Sequence, residues 1–213
     1  MPTPPDSATP ELVHAAKALK NGELVAFPTD TFFALGADAL NPAAVKSVFR
    51  AKGRNPGTPV PVLISDAAMV EELVRDFAGV LRDLTDHFWP GALTVVLPAS
   101  DVVPEIVIAG TGTIGLRIPD HDLARQLIEL ANTPLTGTSC NITGQPPTRD
   151  ANVVKQQMGN LIAACIDAAC GENTLPSTVV GFENAASVKL KVLRAGAIGV
   201  ESIRNVVGDI LVN

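Results

Sequence analysis

The sequence predicts a single α/β domain in which helices pack against a twisted sheet. Its 213 residues, 46% of them hydrophobic, are enough to bury one sizeable core and fall within the size range of one domain. Segments with apolar residues at helical spacing alternate with short β-rich runs, a pattern typical of α/β proteins. The sequence does not determine strand order, and a mixed sheet and a parallel sheet agree with it equally well.

The chain begins with a proline-rich segment that differs from the rest. We predict a flexible tail over residues 1–10 and one domain over residues 11–213. Residues 11–22 carry apolar side chains at helical spacing and end in Gly22, so we predict a helix there. The apolar run 23–28 follows at once and predicts the first strand.

Further helices are predicted where capping residues precede helical periodicity. Asn41 and Pro42 begin a helix that ends at Gly53. The other helical segments are residues 66–87, residues 120–132 with Asp120 or Asp122 as the cap, and residues 150–159. The β-rich runs predicted as strands are residues 59–65, 92–97, 113–118, 134–139, 177–182 and 188–194.

The charge balance argues against a globally basic surface for nucleic acid. Sixteen Lys and Arg stand against 22 Asp and Glu, a net charge of -6, so any anion site must be local. The three cysteines and three histidines lack the paired spacing of a zinc site, so we predict no metal cluster and a reduced, cytoplasmic setting. No uncharged apolar run approaches the roughly 20 residues that span a bilayer, and the N-terminal segment lacks the features of a signal peptide.

Two segments of the N-terminal half place polar residues where a strand or helix ends. Residues 28–40 bring hydroxyls, a carboxylate and two aromatic rings after a predicted strand, where α/β proteins bind ligands, although they could also form a simple turn. Lys52 and Arg54 lie close together where a predicted helix breaks into a glycine- and proline-rich loop, and they could hold a polyphosphate. The alternative is two solvated cations near a helix C-terminus. Walker and dinucleotide-binding spacings are absent.

Arg117 falls within an apolar, β-rich run, and a buried arginine needs an anion. That anion is either one of the chain's own carboxylates, such as Asp120 or Asp38, or the carboxylate of a substrate. The two alternatives predict different roles for Arg117, one structural and one in binding.

Polar residues also follow two later strands. Thr138, Ser139 and Asn141 suit phosphate oxygens or a ribose, or else form a polar turn. Ser177 and Arg194 stand at the boundaries of late strands, and each has an ordinary structural explanation. None of these residues identifies a function by itself.

Five motifs follow one another along the chain. They are PTDTFFALGADAL at 28–40, AKGRNPGTP at 51–59, WPGALTVVL at 89–97, TSCNITG at 138–144, and LPSTVV with VLRAG at 175–180 and 192–196. In this order they resemble the YrdC-type family of threonylcarbamoyl-AMP synthases, over about residues 11–198. The resemblance implies a concave, twisted mixed sheet whose cavity holds ATP and threonine side by side.

The resemblance also assigns the candidate residues to two neighbouring subsites. Lys52 and Arg54 are the implied catalytic residues, with Lys52 beside the phosphates. The implied ATP-binding residues are Arg54, Thr58, Thr113, Ser139, Asn141, Pro147 and Arg194. The implied threonine-binding residues are Thr31, Arg117, Gly137 and Ser177. Arg117 would clamp the amino-acid carboxylate with two hydrogen bonds and so replace an internal ion pair.

The activity implied by the resemblance is that of L-threonylcarbamoyladenylate synthase, a nucleotidyltransferase. Threonine and bicarbonate would form a carbamate that attacks the α-phosphorus of ATP and expels pyrophosphate, with Mg²⁺ accompanying ATP. No protein nucleophile is required, so Cys140 is expected to be a packing residue. The product would pass to a downstream transferase complex for threonylcarbamoyladenosine modification of tRNA. Two alternatives remain: an RNA-binding or regulatory relative, which the net charge disfavours, and the same chemistry on another amino acid.

Four positions depart from the family's motifs. Phe33 replaces the usual Tyr, Ala34 a Gly, Leu63 a His of many members, and Ala195 a Pro. These changes could reshape the amino-acid pocket without touching the ATP side. The chain keeps the K-x-R, WPG and S-x-N motifs, and it resembles the short, single-domain bacterial form of the family.

Overall fold

The structure is a computed structural model that describes residues 8–77, 79–183 and 187–212. Most of the predicted tail, residues 1–7, lies outside the described residues. The first helix begins at Pro10, where the Oγ1 atom of Thr9 accepts a hydrogen bond from the backbone N–H of Leu12 at 3.3 Å. The tail therefore stays a prediction.

Helices and strands alternate along the described chain. The α-helices are α1 (Pro10–Lys20), α2 (Pro42–Lys52), α3 (Val70–Leu73), α4 (Val80–Phe88), α5 (Glu105–Ile108), α6 (Asp122–Ala131), α7 (Ala151–Met158) and α8 (Val200–Val207). The strands are β1 (Val25–Phe27), β2 (Ala34–Gly36), β3 (Val62–Leu63), β4 (Leu93–Pro98), β5 (Thr113–Arg117), β6 (Leu135–Thr136), β7 (Thr138–Ser139), β8 (Ala164–Cys165), β9 (Thr178–Phe182), β10 (Leu190–Arg194) and β11 (Leu211–Val212).

The strands form two mixed sheets, and helices pack against them. One sheet has the order β7-β2-β1-β8 and the other the order β11-β10-β9-β4-β5-β3-β6. In the larger sheet β3 pairs with β5 and β4 with β9 in parallel, whereas β4 with β5 and β9 with β10 are antiparallel. The mixed α/β prediction is confirmed, and the alternative of a purely parallel sheet is wrong.

The helix that leads into the K-x-R motif ends where the sequence predicts. The Asn41 side chain accepts hydrogen bonds from the backbone N–H groups of Ala43 and Ala44 at 3.0 and 3.3 Å, which caps α2. Gly53 has φ 58°, the left-handed conformation in which glycine commonly ends a helix. Lys52 is therefore held at the last turn of α2.

Two helix predictions need correction. Neither Asp120 nor Asp122 caps α6, because His121 is the N-cap without a side-chain hydrogen bond and Asp122 is already the first helical residue. Residues 66–87 do not form one helix. Val74 leaves α3 to bridge Ala99, so the helical path is interrupted before α4.

The predicted strand 134–139 is also divided by the structure. Gly137 separates β6, in the larger sheet, from β7, in the smaller sheet. The hydroxyl of Thr136 donates to the carbonyl of Leu35 at 2.9 Å and accepts from the backbone N–H of Ala37 at 3.0 Å. The chain therefore joins the two sheets at Gly137. In the part that the structure describes, no helix combines the length and apolar character needed to cross a membrane.

Gly196, which follows β10, lies against the backbone that precedes β9. A Cβ at this position would stand 2.2 Å from the carbonyl oxygen of Pro176 and 2.5 Å from the carbonyl carbon of Ser177. We expect Gly196→Ala to lower the free energy of unfolding by about 1–3 kcal/mol, because the backbone would have to move apart.

Chemical denaturation of this variant and of Gly159→Ala provides the test. Gly159 has φ -51° and open space around the position that a Cβ would take, so its alanine variant should be unchanged or slightly more stable. Equal denaturation midpoints for both variants would contradict the close packing at Gly196.

Candidate functional site

A cavity of about 800 Å³ lies between the two sheets and is lined by residues of both. Its volume is within the range of small-molecule sites. Every predicted site residue lines it: Thr31, Lys52, Arg54, Thr58, Thr113, Arg117, Gly137, Ser139, Asn141, Pro147, Ser177 and Arg194. The structure therefore brings together residues that are up to 163 positions apart in sequence, Thr31 and Arg194 at the extremes. Their individual binding roles stay predictions.

Lys52 is almost fully buried, with 3% of its surface exposed, and its ammonium group organises the loop after β7. Its Nζ atom donates to the carbonyl of Asn141 at 2.8 Å, to the Oδ1 atom of Asn141 at 3.3 Å, and to the carbonyl of Ser139. The hydroxyl of Ser139 donates to the same Oδ1 atom at 2.6 Å. All three N–H groups of Lys52 are thus engaged by the loop, and its charge lies directly behind Ser139 and Asn141.

Two arginines lie on other walls of the cavity. The Nη2 atom of Arg54 donates to the carbonyl of Pro59 at 2.9 Å. The Nη2 atom of Arg194 donates to the carbonyl and the hydroxyl of Ser177 at 2.8 and 2.9 Å. Both guanidinium groups are therefore positioned by neutral oxygens.

These three cations are not neutralised within the described chain. The ion pairs found among the described residues involve other cations, and none includes Lys52, Arg54 or Arg194. Burial lowers the pKa of Lys52 to about 8 and lowers the pKa of both arginines. A desolvated cation without a carboxylate partner is stabilised by an anionic ligand, so this part of the cavity favours a polyanion.

Arg117 carries an internal ion pair, but its partner is neither Asp120 nor Asp38. Its Nη2 atom contacts the Oδ1 atom of Asp30, and both side chains are buried, with 7% and 6% of their surfaces exposed. Asp120 instead lies beyond the end of β5 and pairs with Arg125.

Asp38, the other predicted partner, accepts hydrogen bonds from Thr133 and from the backbone N–H of Leu40. Asp30 follows β1, in the other sheet, so the pairing depends on how the two sheets face each other. The Oδ2 atom of Asp30 is buried and has no hydrogen-bond partner among the described residues.

Further contacts hold the Arg117 guanidinium from both sheets. Its Nε atom donates to the carbonyl of Gly91, in the WPG motif, at 2.8 Å, and its Nη1 atom lies 3.4 Å from the hydroxyl of Thr31. Sequence reasoning missed the roles of Asp30 and Gly91. Their positions inside two of the five motifs were the sequence feature that could have identified them as site residues.

Ser177 and Thr94 add a second missed contact. Their hydroxyl oxygens lie 2.8 Å apart, both residues are buried, and both line the cavity. Thr94 is the threonine of the WPGALT segment, which carried no assigned residue. The neutral hydroxyl groups of Thr94 and Ser177 therefore lie between Arg117 and Arg194 in the cavity lining.

Cys140 is a packing residue, as the sequence predicts. Its side chain is fully buried, and burial raises the pKa of its thiol to about 12. A thiol in this state is protonated and unreactive. Within the described ranges, no group of three or more His, Cys, Asp or Glu side chains is arranged to hold a metal ion.

The arrangement can hold two kinds of anion at once. Lys52, Arg54 and Arg194 supply charge for a polyanion, and Arg117 stands on the neighbouring part of the wall with two N–H groups that the described residues leave free. Phe33, Ala34 and Leu63, which depart from the family's motifs, also line the cavity.

The chain is similar in sequence to known proteins of one family. Residues 17–196 match the family model of the Sua5, YciO and YrdC proteins, whose description is "Telomere recombination". The chain is 37% identical over 199 residues to the threonylcarbamoyl-AMP synthase of Pyrococcus abyssi, covering 93% of the chain and 58% of that protein. It is 37% identical over 205 residues to the threonylcarbamoyl-AMP synthase of Bacillus subtilis, covering 96% and 58%.

The fold is also similar to that of a solved relative. The crystal structure of P. abyssi Sua5 complexed with L-threonine superimposes with a TM-score of 0.89 at 36% identity, over 95% of this chain and 58% of that one. This chain therefore spans a little over half the length of these relatives. By sequence and by fold, the chain belongs to the Sua5/YciO/YrdC family.

Proposed function

We propose that this chain synthesises threonylcarbamoyl-AMP from L-threonine, bicarbonate and ATP, as a nucleotidyltransferase. The observation that carries the proposal is one cavity that combines a buried, oriented arginine with three cations that have no carboxylate partner among the described residues. The first feature suits a triphosphate, and the second suits the carboxylate of an amino acid. The names of the relatives and the L-threonine in the P. abyssi complex support the same assignment.

ATP would occupy the part of the cavity near the three cations. Arg54 and Arg194 would bind phosphate oxygens directly, whereas Lys52 would hold the Ser139–Asn141 loop in place and contribute its charge from behind it. The remaining ATP-binding residues would be Thr58, Thr113 and Pro147.

Mg²⁺ would enter with ATP as part of the substrate. The described cavity lining offers cations, hydroxyls and amides but no carboxylate, so phosphate oxygens and water would supply most of its ligands.

Threonine would bind through its carboxylate to Arg117. Three of the five N–H groups of Arg117 are engaged by Gly91, Thr31 and Asp30, which leaves two for the two carboxylate oxygens. A guanidinium held at three points loses little entropy on binding, so it fixes both the position and the orientation of the substrate. Gly137 and Ser177 would complete this subsite.

The reaction would then need no covalent enzyme intermediate. The amine of threonine attacks bicarbonate and water leaves, which gives a carbamate; one carbamate oxygen attacks the α-phosphorus of ATP, and pyrophosphate leaves. The cavity would contribute proximity of the two reactants and stabilisation of the phosphoryl charge. The product is a labile mixed anhydride, which would be passed to a transferase that threonylcarbamoylates tRNA.

Pyrophosphate release with a panel of amino acids tests the proposal. With ATP, Mg²⁺ and bicarbonate present, release should require threonine and should stop when bicarbonate is removed. Pyrophosphate release that depends equally on another amino acid would show that threonine is not the specific substrate. Nucleotide binding without any pyrophosphate release would favour a regulatory or RNA-associated role.

The affinity for ATP should fall as pH rises through about 8. Burial lowers the pKa of Lys52 from 10.5 to about 8, so the positive charge behind the Ser139–Asn141 loop is lost as the pH passes that value. We expect about a tenfold or larger loss of affinity between about pH 7 and 9, because a charge-assisted interaction is removed. The stability contributed by Lys52 changes in the opposite direction, since the unfolded chain binds more protons between about pH 8 and 10.5.

Calorimetric titration with ATP over this pH range measures both the affinity and the uptake of a proton near pH 8. Lys52→Met should remove the pH dependence that this lysine causes. A wild-type affinity that is constant across the range would show that Lys52 does not contribute its charge to ATP binding.

A further inference from the structure

Thr94 lies in β4 with its side chain on the cavity side of the larger sheet. Its neighbours Leu93 and Val95 are buried in the core on the opposite face, because side chains alternate along a strand. Only 3% of the Thr94 surface is exposed, and its hydroxyl oxygen lies 2.8 Å from that of Ser177. No second hydrogen bond of the Thr94 hydroxyl is found among the described residues.

The hydroxyl oxygen of Ser177 has a second partner in Arg194. The Nη2 atom of Arg194 donates to this oxygen at 2.9 Å and to the backbone carbonyl of Ser177 at 2.8 Å. A serine hydroxyl has two lone pairs and one proton. Because Arg194 takes one lone pair, the other lone pair and the proton remain for Thr94 and for a ligand in the cavity.

The two possible directions of the Thr94–Ser177 hydrogen bond differ in cost. If Ser177 donated, the buried proton of Thr94 would have no acceptor among the described residues, which is unfavourable for a buried donor. If Thr94 donates, both lone pairs of the Ser177 oxygen are filled, and its O–H group remains as a donor in the cavity lining. The second direction leaves no donor of Thr94 unsatisfied.

From this geometry, and resting on the function proposed above, we propose that Thr94 is a positioning residue. It donates to Ser177 and thereby directs the O–H group of Ser177 to an anionic oxygen of the amino-acid substrate. The guanidinium of Arg194 strengthens this donor, because a cation that donates to a hydroxyl oxygen polarises its O–H bond. Thr94 itself does not touch the substrate.

The methyl group of Thr94 has a separate, structural role. A Cβ at Gly115, on the adjacent strand β5, would lie 3.2 Å from the Cγ2 atom of Thr94, so this methyl packs against β5. Thr94→Val keeps the shape of the side chain and removes the hydroxyl, whereas Thr94→Ser keeps the hydroxyl and removes the methyl. The two substitutions therefore separate positioning from packing.

We expect the two variants to have opposite effects on activity and stability. Thr94→Val should lower kcat/KM for threonine about 2- to 12-fold, the equivalent of one net hydrogen bond. Its stability should change little, because water in the cavity can reach Ser177. Thr94→Ser should keep kcat/KM close to the wild-type value but unfold at a lower denaturant concentration, because a buried methyl group is lost.

The experiment measures pyrophosphate release and chemical denaturation for the wild type, both Thr94 variants, Ser177→Ala and the double variant Thr94→Val/Ser177→Ala. Because Thr94 acts only through Ser177, the double variant should be no less active than Ser177→Ala. The KM for ATP should stay unchanged in Thr94→Val, since Arg194 keeps both of its acceptors on Ser177.

Thr85 provides the matched control. It is a buried threonine of α4, outside the cavity lining, whose hydroxyl donates to the carbonyl of Arg82 at 2.9 Å. Thr85→Val removes a buried hydroxyl in the same way and should leave kcat/KM for threonine unchanged.

Three results would overturn the positioning role while the synthase proposal remains. They are wild-type kinetics in Thr94→Val, losses that multiply in the double variant, and losses in Thr94→Val and Thr94→Ser that follow their stabilities. Multiplied losses would mean that Thr94 acts on the ligand by itself. If the wild type releases no pyrophosphate with threonine, the proposed function itself is overturned, and this inference with it.

Discussion

Replacing Arg117 with alanine should abolish threonine-dependent pyrophosphate release. The substitution removes the two N–H groups proposed to hold the substrate carboxylate, and it leaves Asp30 as a buried carboxylate without its partner. Loss of one partner from a buried ion pair costs about 3–5 kcal/mol of stability. The variant should therefore unfold at a clearly lower denaturant concentration as well as lose activity.

Arg117→Lys separates the two effects. Lysine keeps a positive charge beside Asp30 but lacks the planar fork, so most of the stability should return while the KM for threonine rises about 10- to 150-fold. Arg125→Ala is the control, because it breaks only ion pairs with the exposed Asp120 and Asp122 and should alter neither quantity appreciably. A wild-type KM for threonine in Arg117→Lys, with kcat unchanged, would rule out the carboxylate clamp.

Arg54→Ala should lower the rate of pyrophosphate release about 10²- to 10³-fold, the typical cost of removing one donor that stabilises charge in the transition state. The fold should be little affected, since Arg54 is only half-buried and has no carboxylate partner among the described residues. Steady-state kinetics together with a denaturation curve checks both expectations.

Arg50 provides a matched control on the preceding helix. It lies two residues before Lys52 on α2, is exposed, and donates to the hydroxyl of Ser47 on the outer surface. Arg50→Ala removes the same charge from the chain and should leave the rate unchanged. Equal losses in the two variants would mean that net charge, rather than the cavity position of Arg54, controls the reaction.

Both ends of helix α2 were predicted correctly from the sequence, where capping depends only on adjacent residues. Asn41 caps α2 and Gly53 ends it because both effects depend only on neighbouring backbone atoms. The order of the motifs predicted a common site, and residues from all five line one cavity, Thr94 and Val96 representing the WPGALTVVL motif, whose WPG turn is not itself in the lining. Even that turn is linked to the cavity, through the hydrogen bond between Gly91 and Arg117.

Contacts between residues distant in the sequence could not be predicted from local sequence patterns. The partner of Arg117 is Asp30, 87 positions earlier, and no periodicity relates the two residues. The division of residues 134–139 at Gly137 depends on two different sheets competing for one extended segment. The short strands β2, β8 and β11 have too few residues to produce a pattern, so they were found only in the structure.

The most direct test of the synthase proposal is to identify the products of one turnover mixture by mass spectrometry. The mixture contains the chain, ATP, Mg²⁺, threonine and carbon-13-labelled bicarbonate. We expect an adenylate that carries both threonine and the labelled carbon, formed together with an equal amount of pyrophosphate. Formation of ADP and phosphate, or an adenylate without the label, would contradict attack of a threonine carbamate on the α-phosphorus.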